Sequence, residues 1–213
     1  MITDSGINDN AFYQTFRKAP LPPEKVKEIF QSYYLYIRTF PQILAGLAQR
    51  VDDELIRFKL SRTVVSELGD GHGDAHFLMF EDVLKGIGVK LDDYRTAQHA
   101  PEAEELVATL RRLFLEESPN AAIGAHYVIE EFGFPMIVNL YEGFRLYKGW
   151  DHEDYNYFYL HILIESNHVD WIQDALLAAA TDEVACQELI RGADEVLTAL
   201  NNFWAGLDRI ALA

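Results

Sequence analysis

Three residues in one short stretch are able to bind a metal: His161, Glu165 and His168, in the run His161-Ile162-Leu163-Ile164-Glu165-Ser166-Asn167-His168. On a helix, at about 100° per residue, Glu165 sits about 40° to one side of His161 and His168 about 20° to the other, so all three project from one narrow face. Two imidazoles and a carboxylate so placed form a metal-ligand set. Pointed into an apolar interior without an ion, each would be a costly polar group in need of several partners. The plainer alternative for this segment alone is an ordinary helix with one buried and one surface histidine.

Other acids and histidines extend the set. Glu130 shares a helical face with Tyr127, Phe134, Ile137 and Tyr141, an apolar and aromatic stripe interrupted by one carboxylate. An acid on such a stripe calls for a cation, although an arginine or a tyrosine hydroxyl would also serve. His126 lies one turn before Glu130 and Glu131 lies beside it, and spacing does not decide which of these faces inward. Glu67 and His76 flank Gly69-Asp70-Gly71-His72-Gly73, where three glycines in five residues let the chain turn and aim both at one centre. Asp70 and His72 compete with His76 on spacing. The loop lacks the Gly-Lys-Ser/Thr ending of a phosphate loop. Cys186 is the only cysteine, which excludes an intrachain disulfide and a cysteine zinc cluster.

The elements that must position these groups read as helix after helix. Residues 1–20 form an N-terminal arm or short helix carrying Phe12, Tyr13 and Phe16. Pro22-Pro23-Glu24 opens a helix running to about Arg50, with Pro41 expected to kink it. Further helices are expected over about 53–68, 75–86, 102–117, 120–147 with a bend near Gly133 and Pro135, 151–179 opened by Asp151 and Asp154, and 183–211 capped from Thr181-Asp182-Glu183. No segment alternates at period two over strand length, so the fold class is all-α, in a single domain of residues 1–213.

Composition narrows the function. With 18 basic against 34 acidic residues the formal charge is −16, the wrong sign for nucleic acid or an anionic membrane surface. No signal peptide and no long apolar span are evident, which predicts a soluble, cytoplasmic protein. A single-zinc hydrolase would use a His-Glu-x-x-His pair, and none is present.

Taken together, Tyr34-Leu35-Tyr36-Ile37-Arg38-Thr39-Phe40-Pro41, Glu67 with His76, Tyr127-Val128-Ile129-Glu130 and His161-x3-Glu165-x2-His168 come in an order and spacing that resembles the haem-oxygenase-like diiron oxidases and oxygenases, over about residues 22 to 210. The resemblance implies a seven-helix, up-and-down bundle. It implies six ligands, Glu67, His76, Glu130, His161, Glu165 and His168, with Glu130 bridging and with Glu130 and Glu165 at the reacting centre. Relatives often carry aspartate where this chain has Glu165. The cofactor implied is a pair of Fe(II) ions, an iron and manganese pair being compatible, with dioxygen as co-substrate and an external reductant where needed. Mixed nitrogen and oxygen ligation with open positions suits iron that meets dioxygen.

The expected substrate is a small amino-acid-like metabolite, N-oxygenated, desaturated or cleaved, with fatty-acid decarboxylation on the same site and a metal-free thiaminase-like or scaffold protein as alternatives. Its pocket is expected to include Tyr127, Phe134, Tyr141 and Tyr157, with Arg145 or Arg38 for a carboxylate, and a homodimer is expected. Haem is disfavoured because the first long helix has no histidine. The thiaminase branch needs a pocket cysteine, and Cys186 comes late in the chain. One branch of the resembling family makes p-aminobenzoate from its own tyrosine and lysine. Tyr13 could serve as that tyrosine, but no lysine occurs between Glu130 and Tyr147.

Overall fold

Every described residue in regular structure is helical. The structure, a computed structural model, describes residues 5–71, 73–149 and 155–213, and of 164–167 the backbone alone. A 3-10 turn at Ile7–Asp9 is followed by α1 (Ala11–Phe16), α2 (Pro23–Arg50), α3 (Glu54–Glu67), α4 (His76–Gly86), α5 (Pro101–Leu115), α6 (Pro119–Phe144), α7 (Asn156–Ala179) and α8 (Glu183–Leu212). The seven long helices are those expected. Asp151 and Asp154, expected to open α7, lie outside the described residues.

The local rules that place the ends are visible. Ser118 accepts from Asn120 N with Pro119 in the first turn of α6, Asp182 accepts from Ala185 N at the start of α8, and Asp53 accepts from Ile56 N at the start of α3. Each satisfies one of the amides that a helix start leaves without an intrahelical partner. Pro41 and Pro135 both lie inside continuous helices. At Pro135 the Asn139 side chain donates to the Pro135 carbonyl at 2.8 Å and to Asn8 O at 3.1 Å, tying the N-terminal arm to α6.

Six helices close a ring through successive packed pairs: α2 on α3, α3 on α7, α7 on α6, α6 on α8, α8 on α5, and α5 back on α2. Helix α4 lies against α7 and α2, and α1 lies across α8 and α6. The ring encloses an aromatic core in which Phe12 stacks on Trp204 with centroids 5.5 Å apart and Phe30 meets Phe16 at 5.3 Å. Such offset and edge contacts add to the large apolar area each ring buries. The N-terminal arm is therefore part of the core: Phe12, Tyr13 and Phe16 are fully buried. Among the described residues no helix is long and apolar enough to cross a membrane.

Candidate metal centre

Each end of the loop from Glu67 to His76 carries a donor. Helix α3 ends at Glu67, and Gly69 (φ 90°), Asp70 (φ 54°) and Gly71 (φ 73°) then take the left-handed conformation. A Cβ on Gly69 would stand 2.3 Å from Gly73 O, so only glycine permits this turn. The turn brings His76, the first residue of α4, back to Glu67, with Nδ1 3.2 Å from Oε2. Asp70 is exposed, while His72 lies outside the described residues. A carboxylate on the last residue of a helix faces the negative end of the helix dipole, an unfavourable place unless a cation is near.

Glu130 on α6 and His161 and His168 on α7 meet this pair from the other side. His168 Nδ1 is 3.3 Å from Glu130 Oε2 and 4.0 Å from Glu67 Oε1, and the rings of His76 and His161 are 4.4 Å apart. His76, Glu130, His161 and His168 are each at most 5% exposed. Two of the imidazoles are held from behind. His161 Nδ1 donates to Tyr157 O at 2.6 Å, so Nδ1 carries the hydrogen and Nε2 is left as a lone pair; His168 Nε2 is 3.0 Å from Ser66 Oγ. The side chain of Glu165, the sixth expected ligand, lies outside the described residues.

His76 Nδ1 is buried and makes no hydrogen bond, although Glu67 Oε2 is only 3.2 Å away. The two atoms converge without the alignment of a donor and an acceptor, as adjacent ligands of one cation do. Among the described residues no three or more His, Cys, Asp or Glu side chains already stand as a group around a single ion position. The donors approach one another in pairs, His76 with Glu67 and His168 with Glu130. Three imidazoles and two carboxylates from four segments fit a site for iron, whose borderline character accepts both donor types.

The electrostatics favour the ligand forms. Burial, with His76 close by, lowers His161 to about 4 against the pull of Glu67, so its imidazole is neutral near pH 7. Burial pushes Glu67 up, but the nearby His76, with His161 and His168, brings it below its ordinary value. Glu130 is likewise held low against burial, by His126 and then His168. A pH dependence follows for the metal-free protein. Between about pH 6.5 and 4 the unfolded chain protonates His161 and the folded one does not, so stability falls as pH is lowered through that window. Glu67 and Glu130 act in the same direction below about pH 4.5. The loss expected from His161 alone is on the order of 3 kcal/mol. Urea unfolding of metal-free protein at pH 7, 5.5 and 4.5 should show it; stability that is flat or rising toward pH 4.5 would contradict the assignment.

Beside the donors lies a cavity of about 50 Å³, room for a few water-sized molecules. Its walls include Tyr33, Tyr36, Phe77, Met136 and Tyr157, with Glu67, His76, Glu130 and His161 at its floor. The Tyr33 and Tyr157 hydroxyls meet at 3.1 Å, and Tyr33 also approaches Met136 Sδ at 3.9 Å.

Five of the residues expected at the pocket stand elsewhere. Phe134 is 46% exposed. Tyr127 is half-buried against Gln173 and Glu131, and Tyr141 meets Tyr155, Phe158 and Tyr159 in edge and tilted contacts. Arg145 is exposed on Glu142 at 3.1 Å. The reason is helix phase: the face of α6 turned to the cavity is Ile129, Glu130, Gly133 and Met136, not the stripe through Phe134 and Tyr141. Gly133, with no side chain, keeps that face open. Arg38 lies outside the wall, its guanidinium 4.1 Å over the Phe77 ring. Among the described residues no lysine or arginine lines the cavity.

Sequence reasoning left His126 open and missed Ser66, Tyr33 and Met136. His126 is fully buried, its Nε2 2.7 Å from Glu130 Oε1, while Glu131 is only half-buried. The four-residue spacing to Glu130 was the available signal.

The model of a known family, iron-containing redox enzyme, matches residues 27–201 of this chain, a span that includes every donor described above. The chain belongs to the iron-containing redox enzyme family. It is 27% identical over 199 residues to the 4-chloro-allylglycine synthase of Streptantibioticus cattleyicolor, covering 93% of this chain and 76% of that one. It is 26% identical over 202 residues to the 4-aminobenzoate synthase of Chlamydia pneumoniae, covering 95% and 89%. A domain with a heme oxygenase-like fold from Shewanella denitrificans superposes with a TM-score of 0.72 at 15% identity, over 96% and 86% of the two chains. This iron-containing redox enzyme thus has the haem-oxygenase-like all-α fold that its motifs resemble.

Proposed function

We propose that this chain is a non-haem diiron oxidase that uses dioxygen to oxidise a small amino-acid-like molecule in a biosynthetic pathway. The observation that carries the reading is the convergence of Glu67, His76, Glu130, His161 and His168 from four helices, with His76 Nδ1 buried against Glu67 Oε2 and free of any hydrogen bond. Glu67, His76, Glu130, His161, Glu165 and His168 would hold two Fe(II) ions, and an iron and manganese pair would meet the same donors. The two relatives named above, one an allylglycine synthase and the other an aminobenzoate synthase, support an amino-acid-like substrate.

The bound iron would supply electrons to dioxygen, with an external reductant restoring them where the substrate does not. The chain's own residues do the rest. Tyr157 O and Ser66 Oγ fix the His161 and His168 rings so that one nitrogen of each points inward. Tyr33 and Tyr157 present paired hydroxyls at the cavity wall, where they can orient or share a proton with a polar substrate group. Phe77, Phe40 and Met136 exclude bulk water. A metal-free scaffold would leave Glu130 and Glu67 buried without a cation.

The chain is not expected to make p-aminobenzoate from itself. Among the described residues no lysine lines the cavity, Lys148 is exposed beyond α6, and Tyr13 packs on Phe132 and Trp204 rather than at the cavity wall. Iron-loaded protein given dioxygen and reductant should consume dioxygen faster when an amino-acid substrate is supplied from a panel, and should release no p-aminobenzoate when none is. Dioxygen uptake that no panel member stimulates would count against the substrate class. Recovery of p-aminobenzoate from the protein alone would overturn the exclusion.

A further inference from the structure

The two oxygens of Glu130 face different neighbours. Oε2 is 3.3 Å from His168 Nδ1, on the side of the other donors. Oε1 accepts from His126 Nε2 at 2.7 Å, one turn earlier on the same helix and away from that group. A carboxylate that serves as a metal ligand only accepts at its second oxygen, so Nε2 carries the hydrogen of this contact. His126 is 1% exposed, and its ring lies 5.8 Å from Phe40 and 6.3 Å from Phe114. Its Nδ1 finds no hydrogen-bond partner. A buried histidine that uses one nitrogen, and spends it on a single carboxylate oxygen, has no role in packing that a phenylalanine could not fill better.

We propose that His126 is a positioning residue for the iron centre: its Nε2–H tethers Oε1 of Glu130 and so turns Oε2 toward His168 and the ions. The inference rests on the reading of Glu130 as an iron ligand. It assigns to His126 a donor function and no bond to the metal. Two facts separate the roles. The 2.7 Å contact meets the geometry of a hydrogen bond, whereas the His76 and Glu67 atoms at 3.2 Å do not. Aromatic neighbours on two sides also keep the ring from swinging toward the cavity, whose walls do not include His126.

The consequence is that iron affinity should follow the donor and not the packing. Glutamine places an amide N–H near the position of the imidazole Nε2, so His126→Gln keeps the tether with poorer packing. His126→Phe keeps an aromatic ring among Phe40 and Phe114 and loses the tether. Anaerobic Fe(II) titration of wild type and both variants, with thermal unfolding of each metal-free protein, tests this. The expected result is His126→Gln close to wild type and His126→Phe about 10–100-fold weaker for at least one iron, the loss typical when a partner that orients a ligand is removed. A role in packing alone would rank the variants the other way, and would appear in the metal-free unfolding temperature instead. Equal binding by wild type and His126→Phe would overturn the proposal, as would equal loss in both variants, which would assign the imidazole itself to the metal. Wild type that binds no iron would instead refute the reading of the centre.

Discussion

Glu130→Gln is expected to hold no more than one iron per protomer and to lose more than about 100-fold in oxidation rate, because even residues that only orient a ligand cost 10–100-fold when removed. The substitution preserves volume and an acceptor for His126, so α6 should stay intact and far-UV circular dichroism should be unchanged. What it removes is the negative charge that faces His168 at 3.3 Å. Metal-free Glu130→Gln should lose some fold stability, since His126 and His168 favour the ionised carboxylate against its burial cost. Elemental analysis of anaerobically loaded protein and a single-turnover oxidation assay would check both halves. Two irons retained with near-normal turnover would remove Glu130 from the centre.

Gly192→Ala is expected to be the most damaging small substitution in the bundle. A Cβ at Gly192 would stand 1.8 Å from Ala121 O and 2.5 Å from its carbonyl carbon, and one at Gly124 would stand 2.0 Å from Leu189 O. Helices α6 and α8 cross here backbone to backbone, with a glycine on each. The obstructing atoms belong to main chain, which cannot swing aside as a flexible side chain can. Alanine gains about 0.5–1 kcal/mol of helix propensity over glycine, but overpacking costs about 1–3 kcal/mol or more. The net effect should be a fall in Tm of roughly 5 °C for a chain of this size. Because α6 carries Glu130, the variant should also bind iron less tightly. The double substitution Gly124→Ala, Gly192→Ala should cost less than the sum of its parts, since both strain one contact. Calorimetry that found either single variant as stable as wild type would show that the helices can separate freely.

What the sequence carries legibly is whatever depends on local rules. Proline at a helix start, acids and serines at caps, and three glycines between Glu67 and His76 are signals that act within one turn, and α2, α3, α6 and α8 begin where those signals stand. The triplet on α7 was readable because helical geometry converts spacing into direction without help from the rest of the chain. Of its members, His161 and His168 are buried beside Glu67 and Glu130.

The cavity wall was not readable in the same way. On α6 the residues from Tyr127 to Tyr141 offer apolar side chains around most of the helix, because α6 packs on both α7 and α8. A helix buried on two sides gives a weak stripe, and the phase chosen through Phe134 put the cavity on the wrong edge of Glu130. Gly133 and Met136, the residues that open and close that wall, carry no chemical signature by type. Tyr33 reaches the cavity from α2, a hundred residues away from Met136, and only the ring of helices brings them to 3.9 Å. The same holds for Ser66 and His168.

If these donors hold two irons, the protein's iron stoichiometry must show it. Metal-free protein titrated anaerobically with Fe(II), freed of excess ion and analysed for iron per protomer, should saturate close to two, and the ferrous protein exposed to dioxygen should give a transient visible absorption. Saturation below one iron per protomer would rule out a diiron centre.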